Sequence, residues 1–166
     1  MKCRFCDTEL VHMVVDLGMT PLSNAFLEKS SLYEKESFYP LRVYVCEECF
    51  LVQLPDNVEP PKEIFSKYLY FSSYSRTWLK HAEDLATEII EKFDCDQNTH
   101  VIEIASNDGY LLQHFKNNNI PSLGIEPATN VAKIAEGRGI KTVNKFFGLD
   151  TANDLKKSGN QADVLL

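Results

Sequence analysis

Two cysteine pairs constrain this chain more than any other feature: Cys3-Arg4-Phe5-Cys6 and Cys46-Glu47-Glu48-Cys49, each a C-x2-C, with 39 residues between them. A two-residue spacing lets both thiolates of a tight turn face one ion. Two such turns complete a tetrahedral four-thiolate site, the closed arrangement of structural zinc. The long gap requires the two turns to meet through folding, with a small α+β module wound between them. A module of about 60 residues buries little core unaided, so it depends on its metal for stability. The alternatives are unpaired buried thiols, a redox C-x-x-C, and disulfides. A redox motif belongs beside a thioredoxin-like βαβ pattern, which neither pair has. The N-terminus turns polar at Lys2 and lacks a secretory apolar core, so a cytoplasmic protein is expected, and there paired cysteines imply metal rather than cross-links. Cys95 stands alone and reads as incidental.

Charge narrows the function classes. Residues 1–60 carry 5 basic and 10 acidic side chains, residues 61–98 carry 5 and 7, and residues 99–166 carry 7 and 7, which accounts for the net charge of −7. A nucleic-acid binder needs a basic face to neutralise phosphates, and the only adjacent basic pair is Lys156-Lys157. Four thiolates around one Zn²⁺ add a further charge of about −2 to the acidic first segment. No nucleic-acid partner is expected. No apolar run approaches the ~18–20 residues of a membrane span, so no membrane is expected either. Oligomeric state is left open.

Three segments follow in order. Residues 1–60 hold the cysteine pairs and short β-like runs, Val11–Leu17 and Leu41–Val45, with a boundary at Pro60-Pro61. Residues 61–98 form an aromatic, serine-rich linker running into an amphipathic helix, in which Trp78, Leu79, Ala82, Leu85, Ala86, Ile89, Ile90 and Phe93 recur at helical spacing. Residues 99–166 alternate in rhythm. Strands are expected at Val101–Ala105, Ser122–Glu126, Ile140–Val143 and from Ala162. Helices are expected near Tyr110–Asn117, Val131–Arg138 and Thr151–Lys157. Such alternation means βαβ units and a parallel sheet. The fold class is therefore an α+β zinc-binding module followed by an incomplete α/β Rossmann-like parallel sheet.

The stretch His100–Gly109 has the layout of a nucleotide-binding first turn, in which a buried strand delivers the chain to a tight loop before a helix. No G-x-G-x-x-G occurs. The nearer pattern is the acidic-x-G-x-G-x-G of S-adenosylmethionine (SAM) sites, represented by Glu103, Ala105, Asn107 and Gly109. Asn107 tolerates the left-handed backbone of a turn glycine, and Ala105 is the smallest side chain after glycine. Glu126 closes the second strand, where a carboxylate can accept both ribose hydroxyls of an adenosyl cofactor. Glu103, Ala105, Asn107, Gly109 and Glu126 are the candidate cofactor residues, with a loop-fixing role as the rival for Glu103. His12, His81, His100 and His114 read as structural.

The two C-x2-C pairs, Asp16-Leu17-Gly18-Met19-Thr20-Pro21-Leu22-Ser23-Asn24-Ala25-Phe26-Leu27, Tyr68-Leu69-Tyr70-Phe71-Ser72-Ser73-Tyr74-Ser75 and Glu103-Ile104-Ala105-Ser106-Asn107-Asp108-Gly109 appear in that order. In this the chain resembles the nucleotide-sugar C-methyltransferases of deoxysugar biosynthesis, with Ala105 standing where that family usually has glycine. The resemblance implies a structural zinc, a SAM methyltransferase type of sheet, and methyl transfer to C3 of a keto-sugar on a nucleoside diphosphate. A ketone acidifies the adjacent C–H, a base removes the proton, and the enolate takes the methyl group. Tyr70 matches the family's linker tyrosine. With a phenol pKa of ~10 it suits enolate stabilisation or proton relay better than simple base catalysis. Asn24 is a candidate for facing the sugar. The family's C-terminal His/Glu pair has no counterpart here, so the chain is expected to be the N-terminal portion of a longer enzyme, inactive alone. The rival readings are a non-catalytic zinc and nucleotide-binding module, and a methyltransferase of the same build with another acceptor.

Overall fold

The structure is a computed structural model, and it describes residues 1–23, 26–55, 64–66 and 68–166. Asn24, Ala25 and the proposed boundary at Pro60-Pro61 lie outside the described residues. The chain divides into two compact units, Met1–Pro60 and Pro61–Leu166.

The first unit is a three-stranded antiparallel sheet in the order β1-β2-β3, with β1 at His12–Thr20, β2 at Tyr39–Val45 and β3 at Val52–Gln53. The register of β1 on β2 slips twice, between Met13 and Val15 and between Asp16 and Met19. The second irregularity has a visible cause. The Asp16 carboxylate accepts the Gly18 N–H at 2.8 Å, with Gly18 at φ 80°, and also takes the Arg42 Nε–H from the neighbouring strand at 2.8 Å. A bulge of this kind re-aims the strand that carries it. The buried centre consists of Cys3, Leu10 and Cys46, with Tyr44, Cys49 and Leu51 against it. Nearly all of β1 is exposed. The sulfurs are therefore the core of this unit, and a hydrophobic core in the usual sense is lacking among its described residues.

The second unit is a four-stranded parallel sheet in the order β6-β5-β4-β7, formed by β4 (Val101–Ile104), β5 (Ser122–Ile125), β6 (Thr142–Val143) and β7 (Val164–Leu165). Numbered within the unit, that order is 3-2-1-4, with the reversal beside the first strand that marks a doubly wound sheet. Helix α1 (Arg76–Lys92) starts on Ser75, whose hydroxyl accepts the Trp78 N–H. Its small residues Ala82 and Ala86, with Ile89, bring it close onto the sheet. The other helices are α2 (Leu112–Asn117), α3 (Thr129–Gly137) and α4 (Leu149–Lys157).

Alternation along β4 divides the core. Val101 packs with α1, Phe115 of α2 and Ala135 of α3, whereas Ile102 and Ile104 pack with Leu155 of α4 on the opposite face. Residues 76–92 thus belong to the α/β unit as its first covering helix. Strand β4 ends at Ile104 and not Ala105, because Ala105 already turns with φ 58°. Helix α2 begins at Leu112, after a turn in which the Gly109 N–H bonds to Ser106 O at 3.0 Å. Among the described residues, no helix is long and apolar enough to cross a membrane.

Candidate functional site

The metal centre is one turn built twice. The Cys3 N–H donates to Thr8 O at 2.8 Å and the Asp7 N–H to Cys3 O at 3.0 Å. In the second turn the Cys46 N–H donates to Leu51 O at 3.1 Å and the Phe50 N–H to Cys46 O at 3.1 Å. Asp7 and Phe50, each following its second cysteine, are left-handed at φ 59° and 58°. That backbone costs roughly 1–2 kcal/mol for a side chain like Phe50, which indicates how firmly the turn is imposed. The result is convergence of all four sulfurs within 4.8 Å of one another, with Cys3–Cys49 at 3.6 Å and Cys6–Cys46 at 3.5 Å. Zn–S bonds of ~2.3 Å in a tetrahedron place sulfurs about 3.8 Å apart, whereas a disulfide needs ~2.05 Å. All five cysteines are free.

The donors fit zinc chemically as well. Gln53 donates to Cys3 Sγ at 3.2 Å and, with backbone N–H groups of Phe5 and Cys6, draws that thiol down to about 6. At Cys49 a backbone N–H from Leu51 favours the thiolate, but burial and the three facing sulfurs outweigh it and push the thiol up to about 12. Four sulfurs this close cannot all carry charge unaided, and a divalent cation removes the conflict.

The cofactor candidates gather at the carboxyl edge of the parallel sheet, around a cavity of about 490 Å3. This is the edge where open α/β sheets bind ligands, and the volume falls within the ~300–1,000 Å3 of small-molecule sites. Tyr70, Ala105, Asn107 and Glu126 line it. Ala105 and Asn107 both sit at positive φ, 58° and 49°, as a turn this tight requires. Glu126, only 5% exposed, accepts the Asn107 N–H on Oε2 at 2.9 Å and the Ala128 N–H on Oε1 at 2.8 Å.

Two of the candidates stand behind the cavity wall. The side chain that Gly109 lacks would meet Ile140 Cδ1, the tip of that side chain, at 2.5 Å, but it is the φ of 78° that calls for glycine here. Glu103 is 4% exposed and faces Tyr110. Burial, then the negative Glu126, pushes its carboxyl up to about 8 despite a hydrogen bond with Tyr110. Among the described residues its Oε2 has no hydrogen-bond partner.

Sequence reasoning passed over Tyr110 and Phe146, which also line the cavity. Each follows a strand on the same sheet edge, β4 or β6, and that position was their signal. Gly124 was passed over too. A Cβ there would sit 2.3 Å from Ser106 Oγ, so its absence seats the turn.

The backbone donors of the turn are all spent internally. Ala105 and Ser106 N–H go to Ile125 O at 2.8 and 3.3 Å, Asn107 N–H to Glu126, Asp108 N–H to Asn107 Oδ1 at 2.9 Å, and Gly109 N–H to Ser106 O. Behind them Asp108 is fully buried, its Oδ2 3.2 Å from Arg138 Nη1 and bonded to the Ser73 hydroxyl. Between residues 105 and 109 no backbone N–H is left over for a ligand. The acid that lines the cavity there is Glu126.

Residues 3–65 match the family described as "putative zinc binding domain", which covers the first unit and all four clustered cysteines. The chain is 29% identical over 154 residues to C-methyltransferase NovU of Streptomyces niveus, a match covering 93% of this chain and 36% of that protein. The chain thus spans about a third of the length of the curated relative it matches. A solved SAM dependent methyltransferase from Archaeoglobus fulgidus is similar at 21% identity and a TM-score of 0.31, over 45% of this chain and 33% of that one.

Two measurements test these sites. Purified chain should hold one zinc, and a strong chelator should abolish amide protection across β1 and β2 while the fluorescence of the sole tryptophan, Trp78 in the second unit, stays unchanged; protection that survives metal removal would contradict a metal-built core. The Glu103 carboxyl, held near 8 when folded against an ordinary 4.5, binds extra protons in the native state between those values. Stability of the second unit should therefore fall as pH rises from about 4.5 to 8. Glu103→Gln should remove that slope and gain on the order of 3–5 kcal/mol above pH 8, read by urea titration of Trp78 fluorescence. Equal slopes in both proteins would refute it.

Proposed function

We propose that this chain carries the zinc module and the cofactor-binding part of a SAM-dependent C-methyltransferase. Its acceptor is a nucleotide-linked keto-deoxysugar methylated at C3 through an enolate. The observation that carries the cofactor class is the spent backbone of residues 105–109. A dinucleotide site needs free N–H groups for a pyrophosphate, whereas residues 105–109 have none left over and the Glu126 carboxylate lines the cavity beside them. That environment suits a cofactor without phosphate and with positive charge. The relative's description as a C-methyltransferase supports the reaction class.

SAM supplies an electrophilic methyl group when bound. Glu126 uses one lone pair on each oxygen for backbone N–H groups, which leaves a further lone pair on each for a pair of ribose hydroxyls. Ala105 keeps the turn low where the cofactor passes. Tyr110 and Phe146 supply apolar walls. Tyr70, half exposed at the cavity, is positioned to stabilise an enolate oxygen or relay its proton. We assign the general base and most of the acceptor pocket to sequence beyond these residues, in keeping with the greater length of the relative. The chain alone then binds cofactor without turnover. Zinc takes no part in the chemistry, since a four-thiolate site has no open position.

Calorimetric titration should show this chain binding SAM and not NAD; binding of NAD, or of neither, would overturn the reading. In the complete protein Tyr70→Phe should lower kcat by about 10²–10⁴ with cofactor affinity retained, and unchanged turnover would remove Tyr70 from the mechanism.

A further inference from the structure

Residues 68–74 run along the carboxyl edge of the sheet as a strap, and they contribute Tyr68, Tyr70 and Ser72 to the cavity wall. Among the described residues of this strap, Ser72–Tyr74 forms a single 3-10 turn and the rest pairs with no strand. Two asparagine side chains supply the missing pairing. Asn130, near the start of α3, accepts the Tyr68 N–H on Oδ1 at 2.9 Å and returns its Nδ2–H to Tyr68 O. Asn107 accepts the Ser72 N–H at 3.0 Å and donates Nδ2–H to Tyr70 O at 3.1 Å. Each carboxamide acts as a detached peptide group, donor and acceptor together, so it can stand in for a neighbouring strand. Ser73 adds a third anchor, with its hydroxyl bonded to buried Asp108 and 3.0 Å from Arg138 Nη2.

We propose that Asn107 and Asn130 are positioning residues that seat the strap as one unit and thereby hold Tyr70 and the aromatic wall against the cofactor. The inference rests on the SAM reading above for its cofactor, but the seating itself does not. Asn107 is well suited to both of its tasks. Its left-handed backbone makes the turn, its N–H secures Glu126, and its side chain binds the strap through both its oxygen and one of its two carboxamide hydrogens. Asparagine is needed because aspartate has no donor for Tyr70 O and glycine has no side chain at all. Cofactor occupancy and the placement of Tyr70 become one equilibrium, since both meet at Asn107 and on the same cavity.

The test uses the whole chain and two variants that leave the backbone able to fold. Asn107→Gly keeps the tolerance for positive φ, and Asn130→Ala favours the helix it sits in. Amide exchange is followed at Tyr68 and Ser72. The environment of Tyr70 is followed by the fluorine resonance of chain labelled with 3-fluorotyrosine and assigned through Tyr70→Phe. Loss of the anchoring hydrogen bonds should speed exchange about tenfold. It should do so at both amides in either variant, because the strap lifts as a unit. The Tyr70 resonance should move toward that of an exposed tyrosine, and SAM affinity should fall about tenfold. Exchange at Ser72 unaltered by Asn130→Ala, or a Tyr70 resonance unmoved by Asn107→Gly, would overturn the proposal. If wild-type chain fails to bind SAM, the exchange and fluorine readouts still decide the seating, and only the cofactor reading falls.

Discussion

The Asn107 backbone N–H donates to the Glu126 carboxylate, and this contact joins the turn after β4 to the end of β5. With the second oxygen on Ala128, the same carboxylate also fixes the entry to α3. Three consecutive pieces of chain therefore converge on one buried acid. A hydrogen bond to an ionised acceptor contributes more than a neutral one, about 1.5–3 kcal/mol, and here it consumes a backbone donor that another nucleotide site would leave free. Glu126 keeps a further lone pair on each oxygen. Its remaining lone pairs favour a ligand that brings hydroxyl donors and positive charge.

A different solution holds the first unit. Its described residues bury two cysteines and one leucine at the centre and leave β1 largely in water, so ordinary apolar packing cannot account for its order. Two turns of the same design, each with a left-handed residue after the second cysteine, place four sulfurs at metal-binding distance. The turns impose unfavourable backbone at Phe50 and unfavourable charge at Cys49, and a bound cation offsets both. Structure in this unit comes from coordination, whereas in the second it comes from helices laid on both faces of a sheet.

How much of this was legible follows from how local each feature is. The cysteine pairs were readable because the geometry of a metal turn is written into four consecutive residues. The strand-and-helix rhythm after residue 99 was readable for a similar reason, since burial on both faces produces short apolar runs separated by turn residues. Asn107 and Gly109 were recognisable as turn formers, but sequence could not show that the Asn107 side chain would bind the strap or that Gly109 would sit against Ile140. Glu103 matched an acidic pattern and proved to face Tyr110 behind the wall. Tyr110, Phe146, Asn130 and Arg138 acquire their roles only when distant segments reach one sheet edge, and spacing along the chain carries no trace of that. The helix over 76–92 was legible as an amphipathic helix following the linker, but periodicity reveals a buried stripe without naming what covers it.

The central claim is that the acidic carboxyl edge of the parallel sheet is a site for an adenosyl cofactor without phosphate. A crystal structure of the zinc-loaded chain with S-adenosylhomocysteine tests it most directly. The account predicts the ribose hydroxyls on Glu126, the adenosyl group against Ala105 and Phe146, and the backbone N–H bonds of residues 105–109 unchanged. A ligand bound elsewhere, or a turn that opens to donate its N–H groups, would contradict it.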